Sequence, residues 1–359
     1  MGRRKTTKAG KAAATAPKLI SSRPRKRVTA STRKTPVPLL ALPEYAKVLI
    51  VPDTHVPYED KQAWQLMLRA ARTLNNGEGP DAIVLLGDFF DCYELSTHEK
   101  DLTRRADLAD ELRQVGERLF ELDVICRPAG RAVDWLSSDT KISAGYFDND
   151  KNFRQLYYIM GNHEARINRS LAREQLRGAL NTYMSAGILQ RRTLLQAIGS
   201  CGPYDPSQAW VPIEYGHWLR LGVLPGEVGG LTLTHDVGRA GQGAHLDAQR
   251  VFGPTTVVIG HTHRLASAYG QIGGSTYGAH QLGWLGDARQ QSYLAAARMA
   301  REWAQGFGVA TIEAPGMSLA MAYDGGWRRV RPSVSVEAVA IQRDGSGSLS
   351  ACVEGRIVD

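Results

Sequence analysis

Five apolar runs in this chain end abruptly in groups that bind metals or move protons. "VLIVPDTHVP" delivers Asp53 and His55, and "IVLLGDFFD" delivers Asp88 and Asp91. "YYIMGNHE" carries Asn162, His163 and Glu164, "LTLTHD" carries His235, and "VVIGHTHR" carries His261 and His263. The set is five His, three Asp, one Asn and one Glu, without a cysteine. Oxygen and imidazole donors of this kind favour Mn²⁺, Fe or Zn²⁺ over thiolate-seeking metals. There are too many donors for one ion with an open position, whereas two ions about 3.5–4 Å apart, sharing a carboxylate, would use most of them. In Asp-Thr-His and His-Thr-His the outer side chains lie two residues apart, on the same side of an extended segment. Glycines before Asp88, Asn162 and His261 permit sharp exits and close backbone approach.

These groups need elements to hold them. "AKVLIV" (46–51), "AIVLLG" (82–87), "LYYIM" (156–160), "LTLT" (231–234) and "TVVIG" (256–260) read as strands covered on both faces. Helical patterns lie over 62–74, about 105–125 and about 166–195, so strands alternate with helices in an α/β layered domain. In open α/β sheets the ligand crevice lies beyond the carboxyl ends of the strands, where all five polar groups fall. Residues 216–286 hold 16 of the 37 glycines and read as loop-rich and tightly turned. A helix is expected over about 287–304, and "VEAVAIQ", "RDGSGS" and "LSACVEG" read as a terminal β-hairpin.

Composition narrows the class. With 43% apolar residues among 359, the chain can bury a sizeable core. The net charge of +8 is unevenly placed: residues 1–43 hold 12 Lys and Arg and no acid, leaving 32 basic against 36 acidic groups in the other 316. Residues 1–43 therefore read as a disordered basic arm ahead of one domain over 44–359. The arm is suited to nucleic acid or another polyanion, with a solubilising extension as the plainer alternative. No apolar run approaches a membrane span and no signal-peptide segment is seen. Four scattered cysteines without a CxxC pair fit a reducing cytoplasm, so a cytoplasmic location is expected. Oligomeric state leaves no mark in the sequence.

In this order, D-x-H, G-D-x-x-D, G-N-H-E, a lone His after a strand and G-H-x-H resemble the calcineurin-like metallophosphoesterase superfamily, from about Val48 to Arg264. Members from bacteriophages and bacteria look most similar, repair nucleases more distantly so. The resemblance implies an αββα sandwich, two mixed sheets flanked by helices, with a dinuclear metal centre at its edge. It implies Asp53, His55 and His263 on one metal, Asp88 bridging both, and Asn162, His235 and His261 on the second. The cofactors would be two divalent ions, Mn²⁺ favoured, with Fe or Zn²⁺ as alternatives. A bridging hydroxide would then attack the phosphate ester. His163 would face the substrate without binding metal. Asp91 would orient it or, alternatively, cap the following helix. Glu164 would fix its turn from outside the ligand set. Arg264, after the last ligand, would touch substrate phosphate or form a salt bridge elsewhere.

One departure bears on substrate. The Ser/Thr protein phosphatase branch has Arg-Gly after the second Asp, where this chain has Cys92 and Tyr93. A phosphoprotein substrate is therefore not expected. A phosphodiester, nucleotide or nucleic acid is the leading expectation. The alternatives are a phosphomonoesterase acting on a small metabolite, and a non-catalytic nucleic-acid-binding or assembly protein on the same fold. An insertion at about 92–155, amphipathic in its first half, forms part of the substrate wall in this reading. The remaining histidines (His98, His217, His245 and His280), Cys92 and Trp284 read as structural.

Overall fold

Side-chain alternation along the first strand dictates layers on both sides of it. In the computed structural model, which describes residues 45–96, 107–127, 154–172, 193–223, 228–290, 302–313, 319–321, 327–329 and 333–359, the chain begins with β1 (Tyr45–Val51), α1 (Lys61–Gly77), β2 (Ala82–Leu86), α2 (Leu108–Ile125) and β3 (Gln155–Ile159). There follow α3 (Ala165–Ala172), α4 (Leu194–Gly199), β4 (Trp210–Ile213), β5 (Trp218–Leu221), β6 (Leu231–Thr234), α5 (Ala244–Phe252) and β7 (Thr256–Ile259). The remainder is β8 (Leu265–Ile272), β9 (Ser275–Leu282), β10 (Gly306–Glu313), β11 (Leu319–Met321), β12 (Trp327–Arg329), β13 (Ser333–Arg343), β14 (Leu349–Val353) and β15 (Arg356–Val358). All described residues lie within one compact unit, Lys34–Asp359. The basic arm lies outside the described residues, as do large parts of the insertion on either side of α2.

Leu49 and Val51 of β1, Ile83 and Leu85 of β2, and Leu156 and Tyr158 of β3 enter one buried cluster. Their neighbours Val48, Ile50, Val84, Leu86, Tyr157 and Ile159 enter a second. With period-two side chains, both faces of this sheet are thereby covered. Trp64, Met67, Leu68, Ala71 and Leu74 of α1, spaced three and four apart, cover the first face together with Leu112, Val115, Leu119 and Leu122 of α2. Leu219, Leu231, Leu233, Val258 and Leu282 of the second sheet cover the other face. A third cluster joins Val257 and Ile259 to Ala244 and Ala248 of α5, on the far side of the second sheet.

The result is helix, sheet, sheet, helix: the expected αββα sandwich. The larger sheet runs β15-β14-β13-β10-β1-β2-β3-β4 and the smaller β5-β6-β7-β9-β8, with β11-β12 a separate ribbon. Strands β1 to β4 pair parallel, as do β6, β7 and β9, while β10 and β13 to β15 add antiparallel strands. Both sheets are mixed. The five strands whose carboxyl ends bear the polar groups, β1, β2, β3, β6 and β7, all pair in parallel.

One expectation changes. The glycine-rich stretch 216–286 carries all five strands of the second sheet; its glycines mark turns between strands, such as Gly273 and Gly274 (φ 60° and 79°) between β8 and β9. Most of the helix expected over about 287–304 falls on 291–301, outside the described residues; the described part before it holds a 3₁₀ turn over Ala288–Gln290. The terminal hairpin is present as β13 and β14, with β15 continuing the sheet. No helix among the described residues is long and apolar enough to cross a membrane.

Candidate metal centre

The loops leaving β1 and β2 are stitched together before any side chain is considered. His55 N donates to Asp88 O (3.0 Å), Val56 N to Phe89 O (2.8 Å) and Asp91 N to Val56 O (3.1 Å). The third loop joins through Glu164, which is buried. Its carboxylate accepts from the backbone N–H groups of Asp88 (3.2 Å), Phe90 (2.9 Å) and Gly161 (2.8 Å), and from Tyr158 Oη–H (2.9 Å). Glu164 thus clamps two strand ends together, a wider task than fixing its own turn. The fifth end is tied to the first by Asp53, whose two oxygens accept from His261 N at 2.9 Å each, and to the fourth by Gly260 N, which donates to His235 O at 3.1 Å.

Close approach explains the strand-end glycines. A Cβ on Gly161 would stand 2.2 Å from Asp88 Oδ1, one on Gly87 2.4 Å from His235 Nδ1, and one on Gly260 2.6 Å from Asp53 Oδ2. Each missing side chain leaves room for a candidate ligand from a neighbouring strand.

Three groups of donors have ligand atoms within 4.8 Å of one another: Asp53, His55 and His263; Asp88, His235 and His261; and His55, Asp91 and His163. In the first, His55 Nε2 and His263 Nε2 face each other at 3.2 Å, and His263 Nε2 lies 3.6 Å from Asp53 Oδ1. In the second, His235 Nε2 lies 3.3 Å from Asp88 Oδ2 and 3.1 Å from Asn162 Oδ1. The far ring nitrogens are held by the protein. His55 Nδ1–H donates to Asp91 Oδ1 (2.8 Å) and His235 Nδ1–H to Leu86 O (2.9 Å). That bonding fixes the tautomer in which Nε2 is free to ligate.

The backbone is strained at the same places. Eight described non-glycine residues have positive φ, and four of them are His55 (55°), Asp88 (45°), His261 (67°) and His263 (57°). Left-handed conformations cost of order 1 kcal/mol or more at such residues and gather where function demands a set geometry.

Charge points the same way. Burial alone would raise the Asp88 carboxyl, but the His163 and His235 imidazoles hold it well below the usual range. Burial would likewise raise Asp91, and hydrogen bonds from His163 and His55 bring it well down. Burial lowers His235, but Asp88 and then Asp53 outweigh it and push the ring up to about 10. Burial keeps the His263 imidazole below its ordinary value, while the buried carboxylates draw protons onto His163 and His235; the carboxylates' charge is one that divalent cations would meet.

The calcineurin-like phosphoesterase family matches residues 46–265, about three-fifths of the chain. The chain belongs to the calcineurin-like phosphoesterase family. Comparison with individual curated proteins gives no match.

As a calcineurin-like phosphoesterase, the protein brings its sequence-predicted site together. Asp53, His55, Asp88, Asn162, His235, His261 and His263 face one another with oxygen and imidazole donors, a set that fits divalent metals. Among the described residues Asp91 caps no helix; its Oδ1 bonds His55 at 2.8 Å and also lies 3.2 Å from His163 Nδ1. His163 Nδ1–H donates to the Asp91 carbonyl at 2.8 Å. Arg264 is held by Glu302 (Nε to Oε2, 3.0 Å), so its side chain forms the salt bridge rather than lining the centre.

Three neighbours have no place in the expected site, and Trp284, expected to be structural, lies against it. Trp284 stacks on His263 with centroids 4.9 Å apart and planes 12° from parallel, and so packs against the centre itself. Gln281, buried, accepts from Thr262 Oγ1 (2.7 Å) between His261 and His263 and anchors that loop near α5. Tyr215, 39% exposed, lies 6.4 Å from the His235 ring. Arg166 Nη2 donates to His163 Nε2 at 2.9 Å. Only Arg166 left a sequence signal: three positions after His163, at a helix start, it shares that residue's face.

Proposed function

We propose that this protein is a two-metal phosphoesterase acting on phosphodiester or nucleotide substrates. The observation that carries the reading is the convergence of two donor triads, Asp53/His55/His263 and Asp88/His235/His261, from separate strand ends, with left-handed backbone at His55, Asp88, His261 and His263. Asp53, His55 and His263 would hold one ion, Asn162, His235 and His261 the other, with Asp88 shared. Two such cations supply Lewis acidity and an activated water at neutral pH. Mn²⁺ is the favoured occupant of this oxygen and imidazole set, with Fe and Zn²⁺ as alternatives.

The protein's own part is positioning and proton handling. Asp91 holds His55 in its ligating orientation. The same residue holds His163 through Nδ1, leaving Nε2, against which Arg166 Nη2 rests, as the atom that would exchange a proton with the leaving oxygen. Glu164 keeps the β2 and β3 ends in register. The third donor group, His55/Asp91/His163, serves as a hydrogen-bonded support rather than a cation site, because the Arg166 guanidinium stands against His163 Nε2.

Two features support a nucleotide or nucleic-acid substrate. Tyr215 offers an exposed aromatic face beside His235, and bases stack on such faces. Residues 1–43, with 12 basic groups, would add a salt-dependent hold on a polyanion. The test is metal content by elemental analysis, with Mn²⁺-dependent hydrolysis of bis-p-nitrophenyl phosphate, p-nitrophenyl phosphate, nucleotides and oligonucleotides, for the full chain and for a chain lacking residues 1–43. Diester or nucleotide turnover is expected, with oligonucleotide turnover weakened by salt and by removing the arm. Exclusive turnover of small monoesters, indifferent to the arm, would establish the phosphomonoesterase instead. No metal-dependent hydrolysis of any ester would leave a non-catalytic role.

A further inference from the structure

We infer that Arg166 is a substrate-binding residue whose guanidinium receives a phosphoryl oxygen of the ester beside His163. The inference rests on the two-metal phosphoesterase reading and adds to it the group that would bind the phosphate from the protein side. Arg166 is half-buried on the first turn of α3, and its hydrogen bonds run to the Asp91 carbonyl (Nη1, 2.9 Å) and to His163 Nε2 (Nη2, 2.9 Å). Among the described residues no carboxylate pairs with it. A guanidinium withdrawn from water is stable when an anion meets it, and here the described residues supply a neutral carbonyl and an imidazole.

Its placement matches the need. His163 Nε2 stands 3.8 Å from Asp88 Oδ2, so the Nη2 edge of Arg166 reaches the border of the donor cluster. The Nη1 bond to the Asp91 carbonyl anchors the planar group while Nη2 remains available for exchange. In the structure Nη2 is occupied by His163 Nε2. An incoming phosphoryl oxygen, being charged, is the stronger acceptor and takes that N–H in its place, freeing His163 Nε2 to face the leaving oxygen. Arginine suits the task because its charge is permanent and its fork can bond a carbonyl and an anion together.

The test compares wild type with Arg166→Gln, which keeps a donor for the Asp91 carbonyl and loses the charge. Metal content, kinetics on bis-p-nitrophenyl phosphate and the inhibition constant for inorganic phosphate are measured on both. The expected result is unchanged metal content with an inhibition constant raised about 10- to 100-fold, the range for a lost charge-assisted hydrogen bond. A second measurement uses wild type alone: saturating phosphate should slow phenylglyoxal modification of Arg166, read by peptide mass spectrometry. That arm decides if the glutamine variant folds poorly or loses metal. Unchanged phosphate inhibition in the variant, with only kcat reduced, would show that Arg166 merely orients His163 and overturns the inference. So would modification of Arg166 at the same rate with and without phosphate. In both cases wild-type turnover leaves the two-metal reading standing; wild type that takes up no metal and hydrolyses no ester fells both.

Discussion

Asp91 does more than its motif position indicates. Its carboxylate bonds His55 at 2.8 Å and lies 3.2 Å from His163, so one residue supports both a candidate ligand and a candidate proton donor. Asp91→Asn is therefore expected to weaken metal retention and turnover together, each by about 10- to 100-fold. His163→Ala should lose turnover while keeping its metals, and elemental analysis of the two variants separates these outcomes. Full metal content in Asp91→Asn would show that His55 needs no such support. His280 is the counter-example, a buried histidine outside the centre whose Nδ1 pairs with Ser267 Oγ at 2.9 Å. Burial, and then the nearby His245 imidazole, push it from 6.5 down to about 4. Between those pH values the unfolded chain binds a proton that the folded one refuses. Its stabilising effect is complete above about pH 6.5 and is lost as pH falls toward 4, on the order of 3 kcal/mol in all. Urea unfolding of metal-free protein at pH 7.5 and 4.5 should show a smaller pH penalty in His280→Gln than in wild type.

At the scale of elements, the centre depends on how closely neighbouring strand ends approach. Glu164 ties the β2 and β3 ends with three backbone N–H bonds, and Gly161 lets Asp88 lie against the β3 exit. In Gly161→Ala the new methyl would meet Asp88 Oδ1 at 2.2 Å and Asp88 N at 2.3 Å. Backbone cannot swing aside as a side chain can, so the two ends must part. The variant is expected to lose about 1–3 kcal/mol of stability and most of its bound metal, with far-ultraviolet circular dichroism unchanged. A fully metallated alanine variant would show that the β2 and β3 ends have slack. The sequence already placed polar groups at strand ends, because apolar runs and their terminating Gly-Asp or Gly-Asn pairs are local patterns. Strands β5, β8, β9 and β10 escaped it, since partly exposed or glycine-containing runs such as "GFGVATIE" become strands through their partners.

For the whole molecule, the larger sheet separates two cores, and this sets which thiols are reachable. Cys92 and Cys126 are buried in the helix-side core, Cys201 is half-buried and Cys352 is exposed. Burial pushes the Cys126 thiol up to about 12 and Cys92 well above its ordinary value, so neither forms thiolate near neutrality. A disulfide reagent at pH 8 should label Cys352 first and Cys201 more slowly, reaching Cys92 and Cys126 only as the fold opens. Peptide mass spectrometry over a time course checks the order, and early labelling of Cys92 would contradict the packing beside Asp91.

What the sequence by itself determined is the order and identity of the candidate ligands, from Asp53 to His263, and the layered α/β class that carries them. Residue type, two-residue spacing and apolar runs are local properties, legible without coordinates. Only the tertiary structure decided that Asp91 serves two imidazoles, that Glu164 bridges loops 76 positions apart, that Arg264 turns to Glu302 and that Arg166 stands at His163. Those are choices among partners brought within about 3 Å by packing, and no short-range pattern along a chain records which partner is nearest.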